Sequence, residues 1–208
     1  MYKFNLKSIV TNEFDYNILM NSLKTYSQPW SKIKALLKSG AIVRVKKGLY
    51  IKNPDDWGAF SESVLANMIY GPSYISREFA LSYYGLIPER VSLVTSVTLK
   101  PSKMFKTPVG NYDYRYQSRE RYAFGYTRIT LDDHRHFLLA TPEKSLIDTI
   151  FAEVITSSNE LLNYLEANLR IEKDHIRDLN PKVLQELSQR FRRPIAQALV
   201  LLNKELKR

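Results

Sequence analysis

The 208-residue chain has no cysteine. Disulfides and cysteine-based zinc fingers are therefore excluded, and a reducing interior is expected. No apolar run reaches the ~18 residues needed to span a bilayer. The start, Met1-Tyr-Lys-Phe-Asn-Leu-Lys7, lacks the long apolar stretch of a secretory signal. A cytoplasmic protein with no membrane partner is the expectation. There are only three histidines, too scattered for a Ser/His/Asp set. Glycine-rich phosphate loops and Gly-x-Ser-x-Gly are missing as well. His134-x-His136 could share a strand face beside Asp132 or Asp133, but no third metal ligand is evident, and two histidines near a turn usually mark surface. The expectation is a binding protein without metal or cofactor, not an enzyme.

What is present is a core and an uneven charge. Hydrophobic residues make up 44% of the chain, which marks a globular protein. The net charge is +10, from 31 Lys/Arg and 21 Asp/Glu. Residues 1–51 hold nine of those cations (Lys3, Lys7, Lys24, Lys32, Lys34, Lys38, Arg44, Lys46, Lys47) against Glu13 and Asp15, a balance of +7. The other 157 residues carry only +3. A phosphate-binding surface produces such asymmetry, although a solvated basic face would too.

The same basic segment has a readable order of parts. Tyr16, Leu19, Met20 and Leu23 follow helical spacing and predict a helix over Asp15–Thr25, with Asp15 suiting its dipole. Tyr26-Ser-Gln-Pro29 is a turn, with Ser27 as the expected N-cap. A second helix is predicted over Pro29–Ser39, stopped by Gly40. Trp30, Ile33, Leu36 and Leu37 form its inner stripe, so Trp30 reads as core, with stacking on a sugar as the alternative. Ile42, Val43 and Val45 begin a strand, Lys47-Gly48 turns it, and Leu49-Tyr-Ile51 returns. Two helices and a basic hairpin make a winged helix-turn-helix, the module that places a helix in the major groove of DNA.

The predicted architecture is α+β. It places a winged helix-turn-helix over residues 1–52 and a larger domain over 58–208, with Asn53–Gly58 as the boundary. The larger domain is expected to carry helices within 61–84, an antiparallel sheet of about four strands within 90–140, and helices within 142–206. Pro101–Pro108 reads as a connector. Thr141 caps the helix that opens Pro142-Glu-Lys-Ser, which explains Glu143 through the dipole and needs no catalysis.

Several phrases occur in a recognisable order: Lys47-Gly-Leu-Tyr50, Tyr70-Gly-Pro-Ser-Tyr-Ile-Ser76, Ala80-Leu-Ser-Tyr-Tyr-Gly-Leu-Ile-Pro-Glu89, Thr95-Ser-Val-Thr98 and Ala140-Thr-Pro-Glu-Lys-Ser-Leu-Ile-Asp148. Together they resemble the AbiEi-type antitoxins and transcriptional regulators of bacterial abortive-infection (type IV toxin–antitoxin) systems, which serve phage defence. The likeness runs from about residue 15 to 155. It implies an N-terminal winged helix that represses the operon's own promoter. It also implies a larger domain that neutralises a neighbouring nucleotidyltransferase toxin without requiring a stable complex. The family's N-terminal module often has three helices, whereas only two fit here unless Phe4–Val10 adds a short element. The paired-aspartate signature of a nucleotidyltransferase is missing, unless Asp132-Asp133 imitates it, so the chain reads as antidote and not toxin.

The residues expected to meet double-stranded operator DNA are Gln28, Ser31, Lys32, Lys34 and Lys38 on the second helix, with Arg44, Lys46 and Lys47 on the hairpin. Arg115, Arg119, Arg121 and Arg128 lie among many tyrosines. They form a candidate toxin- or RNA-facing surface, with ordinary sheet packing as the plainer account. The alternative function is a protein- or RNA-binding module that neutralises a toxin by direct contact.

Overall fold

The computed structural model describes residues 6–208. The expected short element over Phe4–Val10 is a single 3-10 turn at Leu6–Ser8; Phe4 and Asn5, like Lys3 and the start of the first predicted domain, lie outside the described residues.

The N-terminal part, the head, contains β1 (Glu13–Asp15), α1 (Tyr16–Ser22), α2 (Pro29–Lys38), β2 (Ile42–Lys46) and β3 (Leu49–Lys52). Asp15 caps α1, its carboxylate accepting from Ile18 N at 2.9 Å. The first helix is shorter than expected because the chain turns at Leu23–Tyr26. The N-cap of α2 is Gln28, not Ser27, with Pro29 in the first turn. Gly40 (φ 72°) ends α2, and Gly48 (φ 82°) makes the two-residue turn between β2 and β3. The three strands form an antiparallel sheet in the order β1-β3-β2. Phe14, Leu19, Leu23, Ile33, Leu36 and Ile42 are buried between this sheet and the helices.

A short helix α3 (Pro54–Trp57) leads into the body. There α4 (Glu62–Ile69), β4 (Ser73–Ile75) and α5 (Arg77–Tyr83) precede β5 (Val94–Thr98), β6 (Lys103–Thr107) and β7 (Gly110–Tyr116). Then come α6 (Arg119–Tyr122), β8 (Tyr126–Thr130) and β9 (His136–Ala140). Five helices finish the chain: α7 (Pro142–Ile150), α8 (Ser158–Asn168), α9 (Lys173–Asp178), α10 (Pro181–Phe191) and α11 (Pro194–Leu206). They pack around Leu146, Leu161, Leu165, Leu184 and Leu199.

The body sheet corrects the expectation. It has six strands, ordered β6-β7-β5-β4-β9-β8, and it is mixed. β5 pairs with β7 in parallel, and β4 pairs with β9 in parallel. The reason is local. The expected connector over Pro101–Pro108 contains the edge strand β6, and this extra reversal returns β7 alongside β5 in the same direction. The β8–β9 hairpin turns at Asp132–His134.

Head and body share a core. Val45, Leu49 and Ile51 of the hairpin pack in one apolar cluster with Leu65, Ile75, Tyr112, Tyr114 and Leu139. Polar contacts reinforce this seam. Lys46 Nζ donates to the Ile69 carbonyl, and Glu13 accepts from the Ser61 amide. Asn12 Nδ2 donates to the carbonyls of Trp57 and Ala59 at 3.3 and 3.1 Å. No helix among the described residues is long and apolar enough to cross a membrane.

Candidate nucleic-acid interface

The outward face of α2 follows from its buried one. Ile33 and Leu36 point into the head core. At about 3.6 residues per turn, Ser31, Lys34, Ala35 and Lys38 then form the opposite stripe, and all four are exposed. Gln28 precedes this stripe at the helix N-terminus, where Ser31 Oγ donates to its Oε1 at 3.2 Å. Across from α2, Arg44 and Lys47 are exposed on the hairpin. The cleft between helix and hairpin measures ≈ 620 Å³ and is lined by Trp30, Lys34, Leu37, Arg44, Lys47 and Tyr50 among others.

The electrostatics of this face are one-sided. Between Asp15 and Asp55 there is no Asp or Glu. Lys34, Lys38, Arg44 and Lys47 make no ion pair or side-chain hydrogen bond among the described residues. Uncompensated cations gathered around an open cleft create a positive potential that attracts an anion.

Two of the eight residues expected at DNA are placed differently. Lys32 is half-buried, its ammonium 5.8 Å from the centre of the Tyr26 ring. Lys46 does not project from the hairpin tip. It turns into the seam, bonds Ile69 O and lies 5.9 Å from the Phe105 ring. Burial, then the neighbouring Lys100 and Lys103, push its pKa down. Lys103 stands 5.0 Å from the same Phe105 ring, and Lys100 stands 5.1 Å from Tyr70. The basic surface therefore continues from the hairpin onto β6.

Trp30 corrects another expectation. It is not core: 57% of its surface is exposed. Its ring stacks on Tyr16, with centroids 5.4 Å apart and planes 28° apart. The stripe rule failed because Trp30 sits in the first turn of α2, where it lines the open cleft instead of the head core.

The four arginines are not brought onto one surface. Arg115 on β7 pairs with Asp113 at 2.8 Å, while Arg128 on β8 contacts His136 Nδ1 at 3.0 Å on the far edge of the sheet. Arg121 lies over Phe151 at 4.4 Å, and Arg119 is exposed on α6. Of the tyrosines near them, Tyr74, Tyr112, Tyr114 and Tyr122 are buried, whereas Tyr116, beside Arg115, is 59% exposed. Sheet packing accounts for that pattern. His134 and His136 gather no third donor, and no group of three His, Asp or Glu among the described residues is placed to hold a metal. Asp132 belongs to an exposed turn. Hydrogen bonds from Arg135 and the His134 amide hold its carboxyl below the usual range.

A buried polar cluster lies behind the cap of α7. Thr141 does cap α7, accepting from Lys144 N at 3.3 Å. Beyond the cap, Lys144 is fully buried, and its Nζ donates to Asp148 Oδ1 at 2.7 Å and Gln117 Oε1 at 3.0 Å. Asp148 also accepts from Ser76 Oγ at 2.8 Å, Tyr74 OH at 3.2 Å and Gln117 Nε2 at 3.1 Å. Phe191 closes the site, 4.5 Å from the ammonium. Burial pushes the Lys144 pKa down and that of Tyr74 well up, with Asp148 opposing the first shift and adding to the second. The i, i+4 spacing of Lys144 and Asp148 was the available signal. The arrangement is closed and its hydrogen bonds are satisfied, so it holds the body together and offers no substrate access.

No protein-family model matches the chain, and no curated protein matches it.

Proposed function

We propose that residues 6–52 are a winged helix-turn-helix that binds duplex DNA, with α2 in the major groove and the β2–β3 turn against the flanking backbone. One observation carries the reading: β1 pairs beside β3, so that a strand, two helices and a hairpin close into the order β1-β3-β2, with the free cations on the exposed side of α2 and the hairpin. A chance basic patch has no reason to coincide with that topology. Gln28 and Ser31 stand at the end of the helix that meets base edges. Lys34, Lys38, Arg44 and Lys47 neutralise phosphates. Lys32 and Lys46 act through the framework instead.

The biological role we propose is a transcriptional regulator that represses its own operon and serves as the antitoxin of a type IV toxin–antitoxin pair. This rests on the AbiEi-like phrases between residues 47 and 148. The dispersed arginines give no support to a single protein- or RNA-contacting platform, which leaves DNA as the favoured partner. We assign no catalytic step to the chain.

The test is fluorescence anisotropy with duplex from upstream of the chain's own coding sequence. Replacing Lys34, Arg44 and Lys47 with alanine is expected to lower affinity uniformly across sequences. It should flatten log K against log salt by roughly 0.9 for each phosphate no longer neutralised. An unchanged slope in the triple variant overturns the DNA reading. Expressing the same variant beside the neighbouring toxin then separates the two roles. Because head and body share a core, these point changes are cleaner than deleting residues 1–52.

A further inference from the structure

An exposed indole on a helix otherwise built for phosphate calls for an apolar partner. Trp30 lies in the first turn of α2, between Gln28 and Ser31, and looks into the cleft that holds Lys34, Arg44 and Lys47. It is held there, not free. Tyr16 stacks on it, and the Tyr16 amide donates to the Gly48 carbonyl at 2.8 Å, so the platform is tied to the hairpin turn itself. A rigid aromatic with two torsions loses little entropy on contact.

We infer that Trp30 is a specificity-determining residue that reads the 5-methyl group of thymine in the major groove. This rests on the proposal that the head binds duplex DNA. The first turn of a recognition helix is the part that reaches base edges. Among the groups that the major groove displays there, the thymine methyl is the one that offers a sizeable apolar surface. Apart from its Nε1–H, which can serve one acceptor, a half-exposed indole placed against any other base edge strips water from polar groups without replacing their hydrogen bonds. Against thymine it buries two apolar surfaces at once. The cations along the same cleft hold the register in which that contact repeats.

The experiment uses the full-length chain. A duplex is enriched from a random pool by the wild-type protein, then synthesised with thymine and again with deoxyuridine throughout, which removes only the methyl groups. Wild type is expected to lose about fourfold in affinity for each methyl that meets the indole. Trp30→Ala should bind both duplexes with the same, weaker affinity, and Trp30→Phe should restore part of the difference. The salt slope should be unchanged in both variants, because every phosphate partner is still present. Thermal melting of the variants checks that the head remains folded. Equal wild-type affinity for the two duplexes overturns the inference while leaving the DNA reading intact. A Trp30→Ala loss that is the same on thymine and deoxyuridine, with the wild-type preference retained, also overturns it and assigns the indole to a sugar. Failure of the wild type to enrich or bind any duplex removes both readings together.

Discussion

Lys34, Lys38 and Lys47 of the head stand in water with no counter-charge among the described residues, whereas Lys144 of the body is sealed from water and bound to Asp148. The same side chain meets opposite conditions in the two regions. In the head the charges add nothing to folding. They repel one another, and their only favourable partner is an anion from outside. In the body the ammonium has lost its hydration. That cost is tolerable only because a carboxylate, an amide oxygen and two aromatic faces surround it. The contrast separates charge kept for recognition from charge kept for a unique fold.

Alkali should break the body first and most completely. Burial pushes the phenols of Tyr84 and Tyr122 up to about 12, and those of Tyr74, Tyr112 and Tyr114 also lie well above the ordinary value of 10. A raised folded pKa means the fold favours the neutral phenol. That stability is full below pH 10 and is lost as the pH rises toward 12 and beyond. Lys144 runs the other way. Its lowered pKa is a penalty at neutral pH that is relieved as the solution approaches 10.5. Tyr164 is raised as well, and Lys46 and Lys52 are lowered like Lys144, but the buried phenols outweigh these ammoniums. Tyrosinate absorbance near 295 nm and loss of circular dichroism should therefore change together in one cooperative step above pH 10. Smooth ionisation of all fourteen tyrosines with the fold intact would contradict the packing described.

The next largest effect tests the buried pair itself. Asp148→Ala strands an unpaired ammonium and removes the acceptor for Ser76, Tyr74 and Gln117. A loss of ~3–5 kcal/mol is expected by urea titration. Lys144→Met combined with Asp148→Leu should recover much of it, because the double change leaves no charge unmatched. A loss under about 1 kcal/mol for Asp148→Ala would show that water reaches the pair.

How much of this was legible in the sequence differs between the regions too. The head was nearly all readable, since helical spacing, Gly40 and Gly48 are local signals. Its missed piece, β1, has three residues and exists only by pairing Glu13–Asp15 with Leu49–Ile51. In the body, β4 is equally short, and β6 was hidden because Lys103 and Lys106 give an edge strand the look of a loop. The small helix α9 and the turn of helix at Arg119–Tyr122 are too short to carry a period. In the sequence Lys144 shows only as part of a capped first turn, because its other partners, Gln117 and Tyr74, lie far away in the chain. Trp30 misled through composition: an aromatic near a core stripe reads as core, and only the fold shows the stripe ending before it.

The smallest effects are the sharpest form of the comparison, because they concern neighbours. Lys46 and Lys47 are adjacent, yet one turns into the seam and the other into solvent. Lys46→Met should cost about 1.5–3 kcal/mol in urea titration, since it deletes a charged donor and leaves the Ile69 carbonyl short of a partner. Its effect on the salt slope of DNA binding should be nil. Lys47→Ala should change stability by no more than ~0.5 kcal/mol, and in the favourable direction, because it relieves repulsion and breaks no hydrogen bond. It should nevertheless reduce the salt slope by roughly 0.9. If Lys47→Ala destabilises the chain and Lys46→Met weakens DNA binding, the two lysines have been assigned to the wrong sides of the hairpin, and with them the face of the head that meets DNA.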